Sequence, residues 1–291
     1  MISVCIPVYN YPVEPLLRSL RAMADRLQKN IEIIVIDDAS DKTYREQNEI
    51  AKTLADQYIQ LTQNIGRSAI RNRFVEYAKY AFMLYLDCDV MPASDRYLTV
   101  YTSLAHKDAY AVWYGGRIYE DKKPAKDQLL RWTYGRKIES RPSVERSRDP
   151  YRSFHSNNFM VRKELLQRFP FDESLRGYGH EDTMFAFVMR QNTIPIVHLD
   201  NPVINMHLES NARFLDMTDE GLVHLKKIAK IPGMEEHVRM LGIYSELKDA
   251  GLDKLLFPWV RNAARKLLEK GFSWMWLLQV YKLAQYQLKE K

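Results

Sequence analysis

The sequence predicts an α/β protein whose central sheet is mostly parallel, and three observations lead to that class. Residues 81–86 form a continuous apolar run that is long enough for one strand and too short for a helix, and residues 31–36 are apolar except for Glu32. Runs of this kind are typical of strands that are buried on both faces, as in a parallel sheet. Segments with apolar residues at helical spacing alternate with these runs. Such alternation favours parallel strands joined by helices that cover the faces of the sheet.

The first part of the chain supplies strands and helices in strict alternation. A strand over residues 2–9 leads into a loop, and Pro15 suits the first turn of the helix that follows. The other strands of this part are predicted over residues 31–36, 58–62 and 81–86. The helices are predicted over residues 16–27, 43–57 and 67–79. This order predicts half of a doubly wound parallel sheet.

Beyond Pro92 the pattern is looser. Residues 122–149 are rich in charge and poor in apolar side chains, which predicts a mobile loop or lid, or a surface excursion. Further strands are predicted over 109–114, 155–161, 194–199 and 202–206, and further helices over 95–104, 164–169 and 183–191. From Ser210 onward the chain is predicted to be helical, with breaks at Pro232-Gly233, Gly251 and Pro258. We therefore expect a main domain over residues 1–209 and a helical extension over residues 210–291.

Composition and charge narrow the function classes. The formal net charge of +6 suits a phosphorylated small molecule or an anionic membrane surface, and it is too diffuse to indicate nucleic acid. The sequence has neither a Gly-x-Gly-x-x-Gly motif nor a Walker A loop, which argues against a dinucleotide dehydrogenase and a P-loop NTPase. Both cysteines, Cys5 and Cys88, fall in predicted buried strands and are interpreted as reduced core thiols.

The sequence also gives an expectation for localisation. The first ten residues carry no basic segment and no long apolar stretch, so we expect no signal peptide. No stretch has the apolar length that spans a bilayer. Residues 273–288 carry aromatic and aliphatic side chains after a basic segment, and either packing against the domain or a membrane interface accounts for them. We expect a cytoplasmic protein. The alternative is a cytoplasmic protein whose C-terminal helices contact the inner face of the membrane.

Acidic residues follow two of the predicted strands. Asp87 and Asp89 come directly after a buried run, where carboxylates are costly unless something compensates their charge. A divalent cation with a preference for hard oxygens, Mg²⁺ or Mn²⁺, is one compensation, and a solvated turn is the alternative. Asp37-Asp38 lies at the same carboxyl-end edge, where an acidic residue often accepts hydrogen bonds from a ribose or a base. A helix-capping turn explains this second pair equally well.

A third acidic cluster opens a predicted helix. Glu181 and Asp182 follow the glycine-rich segment Leu175-Arg176-Gly177-Tyr178-Gly179-His180. Acidic residues at a helix N-terminus are common caps, whereas glycines let the backbone approach a ligand closely. His207 ends a strand-like run and is either structural or part of a metal site.

Taken together, these pieces resemble the family 2 glycosyltransferases with the GT-A fold, over residues 1 to about 207. The matching segments are Ile6-Pro7-Val8-Tyr9-Asn10, Val35-Ile36-Asp37-Asp38-Ala39-Ser40, Asn64-Ile65-Gly66 with Ala69-Ile70-Arg71-Asn72, Asp87-Cys88-Asp89 and Gly177-Tyr178-Gly179-His180-Glu181-Asp182. The Gly-aromatic-Gly-x-Glu-Asp form is most similar to the branch that contains chondroitin-type polymerising enzymes. The resemblance implies that residues 1–209 are a GT-A catalytic domain with a mostly parallel central sheet flanked by helices.

The resemblance also implies roles for individual residues. It implies that Asp182 is the catalytic base, with Glu181 as its acceptor-binding neighbour, and that Asp37 shapes a turn. The residues implied to bind the donor nucleotide are Pro7, Val8, Tyr9, Asp38, Asn64, Gly66, Arg71 and Asp87. The implied acceptor or sugar contacts are Gly116, Asn158, Tyr178, Gly179 and His180. The cofactor implied is Mn²⁺ or Mg²⁺, with Asp89 as its direct ligand and Asp87 and His207 as further members of the metal site.

The implied reaction is an inverting, metal-dependent transfer of an N-acetylhexosamine or hexose from a UDP-sugar to a hydroxyl acceptor. The partners implied are a UDP-sugar donor and a glycan or lipid-linked acceptor in polysaccharide or surface-glycan synthesis. A nucleotidyltransferase is one alternative, but it would need a glycine-rich basic loop where this chain has Asn10-Tyr11-Pro12. A non-catalytic sugar-nucleotide or glycan-binding module is another, and the presence of all four carboxylates at 87, 89, 181 and 182 argues against it.

Overall fold

A computed structural model describes residues 1–27, 30–105 and 110–288. The chain forms two compact units. The first comprises Met1–Ile118, Ser140–Arg176 and Glu181–His207, and the second comprises Tyr119–Glu139, Gly177–His180 and the chain from Leu208 onward. A compact unit need not be an independent domain, so the domain boundary at residues 209–210 stays a prediction.

The strands of the described residues all belong to the first unit. They are β1 (Ile2–Val8), β2 (Ile31–Asp37), β3 (Gln57–Gln60), β4 (Phe82–Leu86), β5 (Val90–Pro92), β6 (Val112–Tyr114), β7 (Arg117–Ile118), β8 (Asn158–Arg162), β9 (Ile196–His198) and β10 (Val203–Asn205). Within the described ranges, seven of them form a central sheet in the order β3-β2-β1-β4-β8-β6-β9. Only β8 runs antiparallel to its neighbours in this sheet. The remaining three form a small sheet in the order β5-β10-β7.

Helices cover the sheet of the first unit and make up most of the second. They are α1 (Glu14–Leu27), α2 (Lys42–Gln47), α3 (Ala51–Leu54), α4 (Arg67–Tyr77), α5 (Tyr97–Leu104), α6 (Leu129–Tyr134), α7 (Ser143–Arg146), α8 (Lys163–Arg168), α9 (Glu181–Gln191), α10 (Asn211–Ile228), α11 (Met234–His237), α12 (Arg239–Asp249), α13 (Asp253–Glu269) and α14 (Met275–Gln287). The predicted fold class, a mostly parallel sheet flanked by helices with a helical C-terminal portion, is confirmed.

The central strands are buried on both faces, as their continuous apolar runs predict. Alternate side chains of a strand point to opposite faces. Ile33 and Val35 of β2 therefore enter a core shared with α1 and α5, whereas Ile34 and Ile36 enter a second core shared with α4, α8 and α9. The apolar residues of β2 satisfy both cores at once, and Glu32 of the same strand is buried with a hydrogen bond from the Lys79 amide at 2.6 Å.

The helix predicted over residues 43–57 is divided by a 3₁₀ turn at Asn48–Ile50. The cause is the buried side chain of Asn48, which accepts a hydrogen bond from the Val13 amide at 2.9 Å and donates one to the Tyr11 carbonyl at 2.8 Å. These bonds fix the loop after β1, and the helix is interrupted to make them. The predicted strand 109–114 is β6, which begins at Val112, and its first predicted residue lies outside the described ranges.

Residues 122–149 were expected to be a mobile loop or lid, or a surface excursion; the expectation of a loop is wrong, because this segment contains α6, a π-helical turn at Gly135–Glu139 and α7. Arg131 and Arg146 are buried. In the second unit, Arg131 pairs with Glu139 at 3.3 Å and with Glu209 at 3.1 Å. In the first, Arg146 donates to the Leu199 carbonyl at 2.7 Å. Charged side chains that are paired in this way belong to the interior, which composition alone does not reveal.

The second unit is built around α10, α13 and α14. Their apolar core includes Leu215, Leu268, Leu277, Leu278 and Tyr281. The breaks predicted at Pro232-Gly233 and Gly251 fall between helices, but the break predicted at Pro258 is wrong because α13 is continuous across it. Among the described residues, no helix is both long enough and apolar enough to cross a membrane.

Candidate active site

The ends of β1 and β2 are joined by hydrogen bonds between their following loops. The Asn10 amide donates to Ser40 Oγ at 2.9 Å. The side chain of Asn10 donates to Asp41 Oδ2 at 3.0 Å and accepts from the Asp41 amide at 2.7 Å. Asn10 and Ala39 both adopt positive φ, 49° and 60°, which short polar loops tolerate only when neighbouring contacts hold them. The carboxyl ends of the two strands therefore form one fixed edge.

The residues that the resemblance assigns to the nucleotide line this edge. Pro7 and Val8 lie in β1, and Val8 is buried against the core. The side chain of Tyr9 is 53% exposed at the end of the strand. Asp37 Oδ1 accepts a hydrogen bond from the Ser40 amide at 2.7 Å, so its carboxylate shapes the turn after β2. An exposed aromatic ring beside a fixed polar turn is suited to contact with a base.

Asp38, Asn64 and Gly66 come together in one turn. The carboxylate of Asp38 accepts hydrogen bonds from the amides of Ile65 at 2.7 Å and Gly66 at 3.0 Å, and Asn64 Nδ2 donates to the Asp38 carbonyl at 3.1 Å. Burial raises the pKa of Asp38, and the two amide donors oppose that rise. Gly66 has a φ of 86° immediately before α4, a conformation that favours glycine. The carboxylate of Asp38 thus fixes the turn that precedes α4.

Arg71 of α4 joins two acidic motifs that are distant in the sequence. Its Nη2 donates to Asp87 Oδ1 at 3.0 Å, and its Nη1 donates to Glu181 Oε1 at 3.5 Å. Arg71 is 2% exposed, and its guanidinium lies 5.7 Å from the ring centre of Phe171. A second arginine, Arg117 of β7, lies 3.6 Å from Asp87 Oδ2. Guanidinium groups therefore compensate the buried end of β4, where the sequence indicated a cation.

Cys88 does not lie in a strand, which corrects the prediction. It occupies the turn between β4 and β5, whereas Cys5 is buried in β1 as expected. Burial raises the pKa of the Cys88 thiol, and the charges of Asp89 and Asp87 raise it further.

Asp89 and His207 are brought to the same place by strand pairing. β5 and β10 are antiparallel, and the Met206 amide donates to the Asp89 carbonyl at 2.9 Å. The ring of Tyr11 packs edge-on against the ring of His207, with centroids 6.1 Å apart. Burial raises the pKa of Tyr11, and the charge of Asp89 raises it further because the Asp89 carboxylate lies near the Tyr11 hydroxyl.

These residues fit a metal ion that is bound together with its substrate. Among the described residues, no three His, Cys, Asp or Glu side chains are grouped as a complete metal site. Mg²⁺ commonly takes only one or two carboxylates from the protein and the remaining ligands from substrate phosphates and water. A carboxylate at Asp89 with an imidazole at His207 is such a partial donor set.

The two neighbouring carboxylates at the start of α9 have different surroundings. Glu181 is buried, and both Arg71 and Arg67 lie within 3.8 Å of its carboxylate. Asp182 is 23% exposed and lies 3.2 Å from His155 Nδ1, while its other oxygen accepts from the Thr183 amide at 2.7 Å. No sequence motif points to His155, which precedes β8 by three residues. Only the fold shows that it faces Asp182.

The four residues before Glu181 belong to the second unit and pack on α10. Gly177, Gly179 and His180 all have positive φ, at 102°, 96° and 68°. A Cβ at Gly179 would lie 3.1 Å from the Gly221 Cα, and His224 Nδ1 donates to the Gly179 carbonyl at 3.0 Å. In the second unit, the glycines therefore let the backbone of residues 177–180 pack closely against helix α10. The roles of Tyr178, Gly179 and His180 as acceptor contacts stay predictions.

Asn158 pairs with Leu86, the last residue of β4, so it lies at the carboxyl-end edge of the sheet, but its side chain is engaged within the fold. It is fully buried at the start of β8. Its Oδ1 accepts from the hydroxyls of Tyr97 at 2.6 Å and Tyr101 at 2.7 Å, and its Nδ2 donates to the carbonyls of Gly116 at 2.8 Å and Asn201 at 3.0 Å. All four hydrogen-bonding positions of the amide are used within the fold. Asn158 therefore stabilises the turn at Gly116. Its side-chain amide has no hydrogen-bonding position left for a sugar in this structure.

Glycine is required at position 116 because of its positive φ and the closeness of the Arg146 side chain. Its φ is 93°, and a Cβ there would lie 2.7 Å from Arg146 Nη2. Arg146 cannot easily move, because Nη1 lies 3.2 Å from His198 Nδ1 and the guanidinium stacks on Tyr114 at 4.9 Å. Burial lowers the pKa of His198 to about 4, so its ring is neutral and accepts that hydrogen bond. This packing fixes the backbone just before Arg117.

The fold and these motifs define a glycosyltransferase of the GT-A type. The chain belongs to the family described as Glycosyl transferase family 2, whose model matches residues 3–169, more than half of the 291 residues. No curated protein matches the chain.

Solved structures of glycosyltransferases share the fold. Residues 1–349 of S. aureus TarS, in complex with UDP, match at 18% identity and a TM-score of 0.54, over 98% of this chain and 89% of that one. The mannosyltransferase PcManGT from Pyrobaculum calidifontis, with GDP-Man and Mn²⁺, matches at 16% identity and a TM-score of 0.58, over 98% and 85%. Glucosyl-3-phosphoglycerate synthase from Mycobacterium tuberculosis, with Mn²⁺, UDP and phosphoglyceric acid, matches at 14% identity and a TM-score of 0.53, over 80% and 79%. At these identities the likeness establishes the fold.

Replacing Arg71 by methionine tests the link between the two motifs. The variant leaves Asp87 and Glu181 without their buried partner, so we expect the free energy of unfolding to fall by about 3 kcal/mol or more. In a Glu181→Gln background the same replacement should cost about 1 kcal/mol less, because one of the stranded charges is gone. Urea unfolding of the four proteins in this double-mutant cycle measures both quantities.

The exposed pair Arg73 and Glu76 on the same helix is the matched control. Arg73→Met should change the free energy of unfolding by less than about 1 kcal/mol, as is usual for surface ion pairs. Equal costs at positions 71 and 73, or no coupling between 71 and 181, would contradict the proposed link.

Proposed function

We propose that the protein is an inverting, metal-dependent glycosyltransferase that moves an N-acetylhexosamine or hexose from a UDP-sugar to a hydroxyl of a glycan or lipid-linked acceptor. The observation that carries this proposal is the bridge from Arg71 to both Asp87 and Glu181. This bridge supports one shared site for the two acidic motifs at the carboxyl-end edge of the sheet, where open α/β sheets bind their ligands. The complexes of TarS with UDP and UDP-GlcNAc support UDP as the nucleotide.

The donor would occupy the edge formed by the loops after β1 and β2. Tyr9 offers an exposed aromatic ring to the base, and the turn at Asn64–Gly66 that Asp38 fixes supplies polar backbone beside it. Asp89 and His207 would hold Mn²⁺ or Mg²⁺, which when bound neutralises the charge that develops on a departing diphosphate. The fixed cations Arg71 and Arg117 at Asp87 add positive potential to the same edge without reorganising during the reaction.

Asp182 is the residue that we assign as the catalytic base. Glu181 is buried beside two arginines, so its carboxylate is engaged within the fold. Asp182 is more exposed and can reach a hydroxyl group. As a carboxylate it accepts the proton of the acceptor hydroxyl while that oxygen attacks the anomeric carbon. A single displacement of this kind inverts the anomeric configuration and needs one carboxylate base, whereas a glycosidase needs an acid and a base that flank the bond.

His155 is proposed to position that base. Its Nδ1 lies 3.2 Å from Asp182 Oδ2. A hydrogen bond donated by this nitrogen would fix the plane of the carboxylate, so that its free lone pairs face the acceptor hydroxyl. The position beside Tyr114, with ring centroids 6.1 Å apart, restrains the imidazole in turn. His155 would thus act through Asp182 and make no contact with the sugar.

Three finer assignments from the sequence stay proposals. They are the similarity to the chondroitin-polymerase branch, a role in polysaccharide or surface-glycan synthesis, and a cytoplasmic location. PcManGT was solved with GDP-Man and not with a UDP-sugar, so a GDP-sugar is the alternative donor that an experiment must separate.

A thermal-unfolding screen of UDP- and GDP-sugars, with and without Mn²⁺, tests the donor and the metal together. We expect one UDP-sugar to stabilise the protein only when Mn²⁺ is present, by about 2.7 kcal/mol at a hundredfold excess over its dissociation constant. Asp89→Ala should lose this metal-dependent stabilisation. Asp95→Ala, which changes a carboxylate that is 82% exposed, is the control and should keep it. Stabilisation by GDP-sugars alone would overturn the donor, and no response to any nucleotide would overturn the enzyme assignment in favour of a binding module.

Asp182→Asn should separate binding from transfer. The amide has nearly the same shape but cannot accept the proton, so we expect turnover to fall by about 10²- to 10⁴-fold. Metal-dependent binding of the nucleotide should be retained. The NMR spectrum of the wild-type product gives the anomeric configuration, which should be inverted relative to the donor. Near-normal turnover of the variant, or a retained configuration, would show that Asp182 is not the base of a single displacement.

Two substitutions of His155 test its positioning role. His155→Asn keeps a donor close to the Nδ1 position, whereas His155→Leu removes it. We expect the leucine variant to lower kcat about tenfold, about 1.4 kcal/mol of transition-state stabilisation, with an unchanged KM for the donor. The asparagine variant should recover most of the rate. If both variants lose kcat equally, or if the loss appears in the donor KM, His155 has a different role.

A further inference from the structure

Three aromatic side chains form an exposed cluster at the turn between α13 and α14. Phe272, Trp274 and Trp276 are 40%, 50% and 62% exposed. The two indole rings are stacked with centroids 5.8 Å apart, and the phenyl ring lies 5.4 Å from the first indole. The three rings therefore form one continuous apolar surface, which we call the aromatic cluster. Monomeric soluble proteins seldom leave large apolar groups together in water unless the surface binds something.

The aromatic cluster is separate from the core of its own helix. Leu277, Leu278 and Tyr281 of α14 are buried against α10 and α13. The sequence left open whether residues 273–288 pack on the protein or lie at a membrane, and the structure divides the segment. Its aliphatic face is already packed, whereas the tryptophans at its start remain outside.

Unpaired positive charge lies beside the cluster. Lys266 and Lys270, in the last turn of α13 and at its end, are exposed, and their side chains form no ion pair or hydrogen bond within the described residues. The nearby acidic residue Glu269 is engaged by Arg265, which also pairs with Asp216 and Asp219. The uncompensated charge of this surface is therefore positive.

A third tryptophan extends the surface along α13. Trp259 is 87% exposed. It precedes Lys266 by seven residues and Lys270 by eleven, spacings that place all three on one face of a helix. Trp259 and the two lysines therefore make an amphipathic helix face about 16 Å long, as estimated from the helical rise, and the aromatic cluster follows it directly in the chain.

We propose that this surface, formed by Trp259, Lys266, Lys270 and the aromatic cluster, docks on an anionic lipid bilayer. Tryptophan favours the boundary between headgroups and hydrocarbon, where its ring is half apolar and its N–H stays hydrated. Lysines beside it attract anionic headgroups. A protein partner is disfavoured by the same composition, since protein interfaces are depleted in lysine and enriched in arginine, and the arginines here are already paired. The proposal does not depend on the enzymatic assignment.

Flotation with vesicles of phosphatidylcholine alone, or of phosphatidylcholine with 30% phosphatidylglycerol, tests the proposal on the full-length protein. We expect binding to the anionic vesicles only, with a blue shift of the tryptophan fluorescence and a loss of binding in high salt. Trp274→Ala/Trp276→Ala and Lys266→Glu/Lys270→Glu should each lower the partition coefficient by about tenfold or more. Circular dichroism and the unfolding temperature should be unchanged, because these side chains are exposed.

Lys227→Glu/Lys230→Glu is the matched control, since it makes the same charge change at exposed lysines near the end of α10. It should retain most of the binding. An equal loss in this control would show attraction to net charge instead of a defined surface and would overturn the proposal. So would equal binding to both vesicle types, no binding to either, or a tryptophan-dependent self-association seen by size-exclusion chromatography, which would make the partner a protein.

Discussion

The candidate active site depends on one buried guanidinium. Arg71 lies between Asp87, at the end of β4, and Glu181, at the start of α9, and it is nearly inaccessible to water. A buried charge without a partner is costly, so each of these groups constrains the others. Such bridges contribute more to the uniqueness of an arrangement than to net stability. Here the arrangement fixes the start of α9, and with it the proposed base at Asp182.

The same edge shows how a polar site is made rigid inside an α/β fold. The carboxylates of Asp37 and Asp38 accept hydrogen bonds from backbone amides of the following loops, which would otherwise be unsatisfied. Asn158 supports the Gly116 turn in a different way, because its Nδ2 donates to the backbone carbonyls of Gly116 and Asn201. Many polar residues near the site therefore support it instead of touching a ligand. Because these hydrogen bonds hold the loops in place, side chains on the loops can be positioned as precisely as side chains on the sheet.

The sequence predicted the strands better than it predicted the charged segments. A strand with two buried faces needs a largely apolar run, so β4, and β2 with Glu32 as its exception over residues 31–36, could be located directly. The helix at residues 43–57 was predicted without its break, because the partners of Asn48 lie in the loop after β1. Residues 122–149 were misread because the buried positions of Arg131 and Arg146 depend on partners far along the chain. Long-range pairing has no local signature.

The acidic motifs, the glycine-rich segment and the order of strands and helices are properties of the sequence, and they were sufficient for the fold class and the family. Apolar periodicity and turn residues act over a few positions, so a linear chain records them. The tertiary structure decided that Arg71 joins two motifs, that His155 faces Asp182, that Asn158 is used up within the core, and that Trp274 and Trp276 stay outside it. Each of these outcomes depends on which distant residue removes water or supplies a partner. That is settled only when the whole chain has packed.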